Sequence, residues 1–215
     1  MRYKLLIFDM DGTILNTLED LADATNYALR ENGLPSRSIE EVRCFVGNGI
    51  GKLIERAVPE GTGEDMIARV FHTFHAYYKE HCADKTKPYE GIRELISGLR
   101  KEGYKTAVVS NKAHYAVLQL CEDYFKGLFD MALGDQEGMG RKPEPDMVDA
   151  VLKKLGVFKE EAVYIGDSEV DYATAANAHM DLIMVEWGFR TREVLEKLGA
   201  DKIAKTPEEI RRYLV

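Results

Sequence analysis

The sequence is poor in cysteine and has no long apolar run, and each scarcity excludes a class of protein. Its three cysteines, Cys44, Cys82 and Cys121, are far apart and form no CxxC pair. This spacing argues against a disulfide framework or a zinc site and favours reduced thiols. The apolar N-terminal run ends before Asp9, and it is too short for a membrane span or a signal peptide. We therefore expect a cytoplasmic protein with no membrane partner.

Positive charge is also scarce. The chain carries 29 Lys and Arg residues against 37 Asp and Glu residues, a formal net charge of −8. An acidic chain binds nucleic acid poorly unless a local basic patch overrides the net charge, so we expect no nucleic-acid partner. If the substrate is itself an anion, local cations must offset this charge.

The first part of the chain combines one strand with a helical stretch. Residues 3–8 form a short apolar run that predicts a buried strand. From residue 15 to residue 87 the apolar residues recur at helical spacing, which predicts four helices. Thr17 is the expected N-cap of the first helix, and Ser38 with Glu41 forms a capping box for the second.

After residue 88, strands and helices alternate, with strands predicted at 104–110, 131–133, 163–165 and 182–185. This alternation indicates a parallel sheet with helices on both faces. The first strand must join that sheet, because a lone strand cannot satisfy its backbone groups. We therefore expect an α/β fold: a Rossmann-like core of residues 1–14 and 88–215, with residues 15–87 inserted as a helical cap domain.

Polar residues follow each predicted strand. In a parallel sheet, ligands bind beyond the carboxyl ends of the strands. Carboxylates that converge there repel one another unless a cation compensates. Oxygen ligands without a His or Cys cluster indicate Mg²⁺. Taken singly, these residues could be turn formers, a helix N-cap or a solvated lysine, so the prediction depends on their ordered co-occurrence. They are Asp9 to Thr13, Ser110 to Lys112, Arg141 to Pro143, and Gly166 to Asp171.

Taken together, these motifs resemble the haloacid-dehalogenase-like hydrolase superfamily over essentially the whole chain. Three further features make the chain similar to the phosphoglycolate-phosphatase-like branch. They are the helical insertion with Val46-Gly47-Asn48-Gly49, the run Lys142-Pro143-Glu144-Pro145, and the run Trp187-Gly188-Phe189-Arg190. The chain departs from the usual pattern at Asn16 and at Ala178-His179-Met180, which makes the exact substrate harder to assign.

The resemblance implies a phosphatase reaction in two steps. Asp9 attacks phosphorus and becomes an aspartyl phosphate. Asp11 protonates the leaving group and then deprotonates the water that cleaves the intermediate. Mg²⁺ is held by Asp9, the backbone carbonyl of Asp11, and Asp167. Asp171 orients Lys142 or a metal-bound water.

The resemblance also implies which residues hold the substrate. Ser110 and Lys142 contact the phosphoryl oxygens, and Gly12, Thr13 and Asn111 contribute to the same site. In the cap, a loop faces the phosphate and two cations follow on the next helix. Ordinary surface charge explains those cations equally well. The cap residues are Gly47, Asn48, Gly49, Lys52 and Arg56.

The expected substrate is a small phosphorylated metabolite, with phosphoglycolate favoured, and the expected assembly is a monomer or homodimer. A sugar phosphomutase of the same fold would keep every core motif and remains an alternative. A phosphonate hydrolase would require a lysine from the cap, for which Lys52 is available. A haloacid dehalogenase would lack Asp11, and a non-catalytic binding protein would be expected to lack one of the core residues.

Overall fold

The computed structural model of the chain describes residues 2–47 and 49–214. Two compact units are present, which we call the sheet unit and the helical unit. The sheet unit comprises Met1–Leu15 and Pro88–Val215, and the helical unit comprises Asn16–Lys87.

The strands are β1 Leu5–Phe8, β2 Leu15–Asn16, β3 Lys87–Pro88, β4 Lys105–Ala113, β5 Met131–Asp135, β6 Ala162–Gly166, β7 Asp181–Val185 and β8 Ile203–Ala204. The helices are α1 Leu18–Glu31, α2 Ile39–Phe45, α3 Gly49–Ala57, α4 Glu64–His81, α5 Ile92–Lys101, α6 His114–Phe125, α7 Asp146–Leu155, α8 Glu169–Asn177 and α9 Arg192–Lys197. Short 3₁₀ helices cover Lys159–Glu161 and Pro207–Tyr213.

Six strands form one parallel sheet in the order β5-β4-β1-β6-β7-β8. The first strand therefore lies at the centre, hydrogen-bonded to β4 on one side and to β6 on the other. This arrangement confirms the predicted α/β fold with a parallel sheet. It also brings the residues after β1, β4 and β6 to one edge of the sheet.

Alternate residues of β1 serve the two faces of the sheet. Leu6 and Phe8 belong to a core cluster with residues of α5 and α6, whereas Leu5 and Ile7 belong to a cluster with residues of α7 and α8. All four side chains are fully buried. Each such burial contributes roughly 1.5–3 kcal/mol, so the short strand is firmly held despite having only four residues.

In the helical unit, α1 packs along α4, and their apolar faces bury residues such as Leu21, Ala28 and Phe74. The capping box of Ser38 and Glu41 at the start of α2 is confirmed. Thr17 is confirmed as the N-cap residue of α1, although its hydroxyl makes no capping hydrogen bond.

Four elements were not predicted from the sequence patterns, namely β2, β3, α9 and β8. Helices alone were predicted from residue 15 to residue 87, but the ends of this stretch pair as the two-stranded sheet β2-β3. Near the C-terminus, α9 and β8 extend the sheet unit beyond β7. Strands of two residues are too short to show an alternating pattern. Among the helices of the described residues, none combines the length and the apolar character that a bilayer crossing requires.

Candidate active site

The end of β1 leads Asp9 directly into a tight turn. The backbone N–H of Asp9 donates to the carbonyl of Ile165 at 2.9 Å, which continues the pairing with β6. The next turn is closed by the N–H groups of Thr13, Ile14 and Leu15, which all donate to the carbonyl of Met10. Asp9 is only 6% exposed. The turn therefore holds a buried carboxylate at the carboxyl edge of the sheet.

Gly12 allows this turn to approach the loop after β6. Its φ angle is +86°, a conformation that favours glycine. A Cβ atom at this position would lie 2.4 Å from Oδ2 of Asp167. Only glycine tolerates both the positive φ angle and this close approach. The predicted motif after β1 is therefore in direct contact with the predicted motif after β6.

Lys142 links two of the buried carboxylates. Its Nζ lies 2.7 Å from Oδ1 of Asp9 and 2.8 Å from Oδ1 of Asp171, and its side chain is 4% exposed. Burial by itself lowers the pKa of Lys142, but the carboxylates of Asp171 and Asp9 together raise it well above the usual value. Lys142 is therefore a fixed cation beside Asp9.

The position of Lys142 depends on Asn111. The Asn111 side-chain amide donates to the Lys142 carbonyl at 2.9 Å, and its oxygen accepts from the Lys142 N–H at 2.8 Å. Ser110 is 2% exposed, and its Oγ accepts from the backbone N–H of Lys112 at 3.2 Å. The structure thus gives Asn111 a role in positioning Lys142, and substrate binding by Asn111 remains a prediction.

Asp11 pairs with Lys112, a residue for which the motifs predict no role. Nζ of Lys112 lies 3.2 and 3.4 Å from the two carboxylate oxygens of Asp11. The Lys112 side chain is 5% exposed. One signal was available, because Lys112 follows Ser110 by two residues and alternate strand residues share a face. Burial of the lysine, however, is a property of the folded chain.

Asp167 is 1% exposed, and other groups of the sheet unit fix both of its oxygens. Oδ2 accepts from the backbone N–H of Phe189 at 2.7 Å, and Oδ1 accepts from the Thr13 hydroxyl at 3.3 Å. Thr13, predicted to bind substrate, therefore supports Asp167, and its contact with substrate remains a prediction. Burial, followed by the charges of Asp171 and Asp9, raises the pKa of Asp167 well above its usual range.

The carboxylates fit a divalent cation in number and in charge. One ligand atom from each of Asp9, Asp167 and Asp171 lies within 4.8 Å of the others. Burial and the nearby Asp171 raise the pKa of Asp9 to about 7, so ionisation of the cluster requires compensation. When all are ionised, these three with Asp11 contribute four negative charges. Lys112 and Lys142 contribute two positive ones, which leaves two negative charges for a divalent ion.

Asp171 differs from the other two carboxylates because its oxygens accept more hydrogen bonds from protein groups than those of Asp9 or Asp167. Oδ1 accepts from Lys142 Nζ and from the hydroxyl of Tyr164, another residue that the motifs do not predict in the site. Oδ2 accepts from the N–H of Asp167 and from the N–H and hydroxyl of Ser168. Asp9 and Asp167 are therefore better candidates for metal ligands, and Asp171 is suited to orienting Lys142.

Gly47 and Gly49, two of the predicted substrate-binding residues of the helical unit, lie just before and at the start of α3. Gly47 and Gly49 both have positive φ angles, +128° and +83°, which only glycine adopts readily. Asn48, also predicted to bind substrate, lies outside the residues that the structure describes.

The two predicted cations of α3 are exposed and contact their own unit. Lys52 forms an ion pair with Glu55 at 2.5 Å, and Arg56 donates to the carbonyl of Phe45 at 2.9 Å. Exposed pairs of this kind contribute little to stability, so both side chains are free to be recruited by a ligand at small cost. Their role in substrate binding remains a prediction.

Comparisons with known proteins identify the family of this chain. The model of the haloacid dehalogenase-like hydrolase family matches residues 6–185. A phosphoglycolate phosphatase of Pseudomonas syringae pv. tomato is 32% identical over 86% of this chain and 70% of its own length. One of Psychrobacter arcticus is 32% identical over 93% of this chain and 90% of its own length.

Solved structures extend the similarity to the whole chain. The protein in a crystal structure from Lactobacillus delbrueckii subsp. bulgaricus is 41% identical in sequence to this chain. The two structures align with a TM-score of 0.94 over 100% of this chain and 99% of that one. The structure of a predicted phosphoglycolate phosphatase from Haemophilus somnus is 28% identical, with a TM-score of 0.91 over 100% of this chain and 99% of that one. The resemblance read from the motifs, including the branch, is confirmed.

Proposed function

The chain belongs to the haloacid dehalogenase-like hydrolase family, as a phosphatase, and we propose that it hydrolyses a small anionic phosphomonoester through an aspartyl phosphate on Asp9. The observation that carries this proposal is the buried Asp9 carboxylate, held 2.7 Å from Lys142 Nζ at the end of the central strand. Removed from water and fixed by the turn, the carboxylate is preorganised to attack phosphorus.

In this mechanism, Lys142 stabilises negative charge and Asp11 transfers protons. The Lys142 ammonium stabilises the negative charge that spreads over the phosphoryl oxygens during transfer. Asp11 delivers a proton to the leaving oxygen and then removes one from the attacking water. Lys112, 3.2 Å from Asp11, restrains that carboxylate and places a second positive charge beside it.

Asp9 and Asp167, with the backbone carbonyl of Asp11, would hold Mg²⁺. When bound, Mg²⁺ neutralises charge between the nucleophile and the phosphate. Buried oxygen ligands without a sulfur or imidazole group suit this ion. Gly12, Thr13 and Phe189 orient these ligands.

Phosphoglycolate is the proposed substrate because the relatives at 32% identity carry that name. Its carboxylate and phosphate require local cations in a chain with a net charge of −8. We assign selection of the substrate to residues 15–87 as a cap domain, with Gly47, Asn48, Gly49, Lys52 and Arg56 as the contacting residues. Binding by Lys52 and Arg56 would match a short acid better than a neutral sugar.

The test is a panel of phosphate esters assayed with Mg²⁺ for free phosphate and for isomerised product. The panel should include phosphoglycolate, three-carbon phosphates, hexose phosphates, a nucleotide and p-nitrophenyl phosphate. We expect phosphate release, with phosphoglycolate among the best substrates by kcat/KM. Interconversion of hexose 1- and 6-phosphates with little free phosphate would instead establish a mutase.

The two cations of α3 provide a sharper test of the substrate class. Lys52→Ala and Arg56→Ala should raise KM for phosphoglycolate, while KM for p-nitrophenyl phosphate, which has no carboxylate, changes little. Lys79→Ala is a matched control, because Lys79 is an exposed lysine of α4 in the same unit. Equal effects on both substrates would contradict a carboxylate-binding role.

A further inference from the structure

Residues 187–190, which follow β7, touch the loops after β1 and β6 at several points. The indole N–H of Trp187 donates to the carbonyl of Thr13 at 3.0 Å. The backbone N–H of Phe189 donates to Oδ2 of Asp167 at 2.7 Å. We call these four residues the 187–190 segment. It connects the loop that bears the nucleophile with the loop that bears Asp167.

Gly188 makes the closest of these approaches. A Cβ atom on this residue would lie 2.4 Å from Cβ of Asp167 and 2.4 Å from the carbonyl oxygen of Gly12. The chain therefore passes between the two loops with no room for a methyl group, and its contact with the Asp167 side chain is steric as well as polar.

Arg190 ties the segment to the start of α8. Its Nε and Nη2 donate to the two carboxylate oxygens of Glu169 at 2.7 and 2.8 Å. The Arg190 side chain is 11% exposed. A bidentate pair of this kind fixes both distance and orientation. Because Glu169 is two residues after Asp167, the pair holds the segment against the loop that carries that carboxylate.

We propose that the 187–190 segment positions Asp167 for metal binding, with Trp187 and Arg190 as positioning residues. A buried carboxylate can bind a cation well only if its rotamer is set beforehand. The Phe189 N–H takes one oxygen of Asp167, and Gly188 packs against its Cβ, so the side chain has one orientation. The proposal rests on the proposed function only through metal binding by Asp167.

The test is Mg²⁺ affinity measured by calorimetry without substrate. Arg190→Gln removes the bidentate pair and should raise the Kd for Mg²⁺ about 10- to 100-fold, the usual effect of losing a group that orients a metal ligand. Arg192→Gln is the matched control. Arg192 is an exposed arginine of the following helix that pairs with Glu186 and Glu196, and its loss should leave the Kd within about twofold.

Glu169→Gln tests the same pair from its more exposed side, and the double variant Arg190→Gln with Glu169→Gln should be no weaker than the worse single variant. This non-additivity shows that the two residues affect Mg²⁺ binding as one pair. Thermal melting of each metal-free variant measures any general loss of stability separately. Trp187→Phe should also weaken Mg²⁺ binding, by a smaller factor, since it loses one hydrogen bond and keeps an aromatic ring.

Trp187 gives an independent readout, because it is the only tryptophan of the chain. Mg²⁺ should change its fluorescence in the native chain and in Arg192→Gln at similar concentrations, and in Arg190→Gln only at higher ones. Native-like Mg²⁺ affinity in both Arg190→Gln and Glu169→Gln would overturn the proposal, as would a native chain that does not bind Mg²⁺. Inactivity towards phosphoglycolate with these shifts intact would refute only the proposed substrate.

Discussion

The two units of this protein bury charge in opposite ways. In the sheet unit, the buried charged residues gather at one edge of the sheet, where Lys142 contacts two of the carboxylates. These buried residues are Asp9, Lys112, Lys142, Asp167 and Asp171. Among the described residues of the helical unit, the buried charge is a single carboxylate, Asp20, whose hydrogen-bond donors are groups of Lys85 and Thr86. The comparison separates a cluster assembled for chemistry from a charge used for structure.

Asp20 shows what a structural buried charge looks like. Its carboxylate accepts from the backbone N–H groups of Lys85 and Thr86 and from the Thr86 hydroxyl, at 2.7–3.1 Å. It thereby fastens the start of α1 to the chain that follows α4. Both oxygens accept from donors of the fold, and Asp20 is the single buried charge among the described residues of the helical unit. In the sheet unit, by contrast, four carboxylates share only two lysines, so their mutual repulsion is not fully compensated without a further cation.

The largest expected effect is on turnover, from Asp9→Asn. The amide is nearly isosteric but a very poor nucleophile, so kcat should fall by at least about 10³-fold. Initial rates of phosphate release from the best substrate measure this. Asp20→Asn is the control from the other unit and should keep kcat near the native value below its melting temperature. Substantial turnover by pure Asp9→Asn would rule out the covalent mechanism.

Asp167→Asn should abolish most Mg²⁺ binding and raise stability in its absence. The amide removes one of several mutually repelling carboxylates, so the metal-free free energy of unfolding should rise, while the Kd for Mg²⁺ increases at least about 10-fold. Urea unfolding with and without Mg²⁺ measures both. Lower stability in chelator would mean that the hydrogen bonds of Asp167 outweigh the repulsion.

The opposite sign is expected for Asp20→Asn, which should lower the free energy of unfolding by about 2 kcal/mol. The substitution weakens charge-assisted hydrogen bonds and sets an amide N–H against buried donors. Asp23→Asn is a matched control on the same helix, because Asp23 pairs with Lys85 on the surface at 2.7 Å. Its loss should cost at most about 1 kcal/mol. Equal losses for the two variants would argue against the structural role of Asp20.

The smallest expected effect is on thiol reactivity. Cys44 of the helical unit is exposed, whereas burial raises the pKa of Cys121 in the sheet unit to about 12. Because the thiolate is the reactive form, Cys121 should react with a thiol reagent at pH 8 at least about tenfold more slowly. Mass spectrometry of peptides during the reaction measures the order of labelling. Earlier labelling of Cys121 would mean that its helix opens readily.

Much of the fold could be read from the sequence because its patterns are local. The apolar run before Asp9, the capping box of Ser38 and Glu41, and the alternation after residue 88 each depend on a few neighbouring residues. Where the elements are too short for a pattern, as in β2 and β3, the prediction failed. At Thr17 the residue type indicated the right boundary but not the hydrogen bond.

What the sequence by itself determined is the parallel sheet and the set of polar residues at its carboxyl edge, since strand order and strand ends place them there whatever the details. What only the tertiary structure decided is which of these residues contact one another. Lys112 pairs with Asp11, 101 residues away in the sequence, and Asn111 forms hydrogen bonds with Lys142, 31 residues away. Such contacts depend on strand register, which shifts between β4 and β5 beside this site, and on burial. Neither strand register nor burial can be read from a short stretch of sequence.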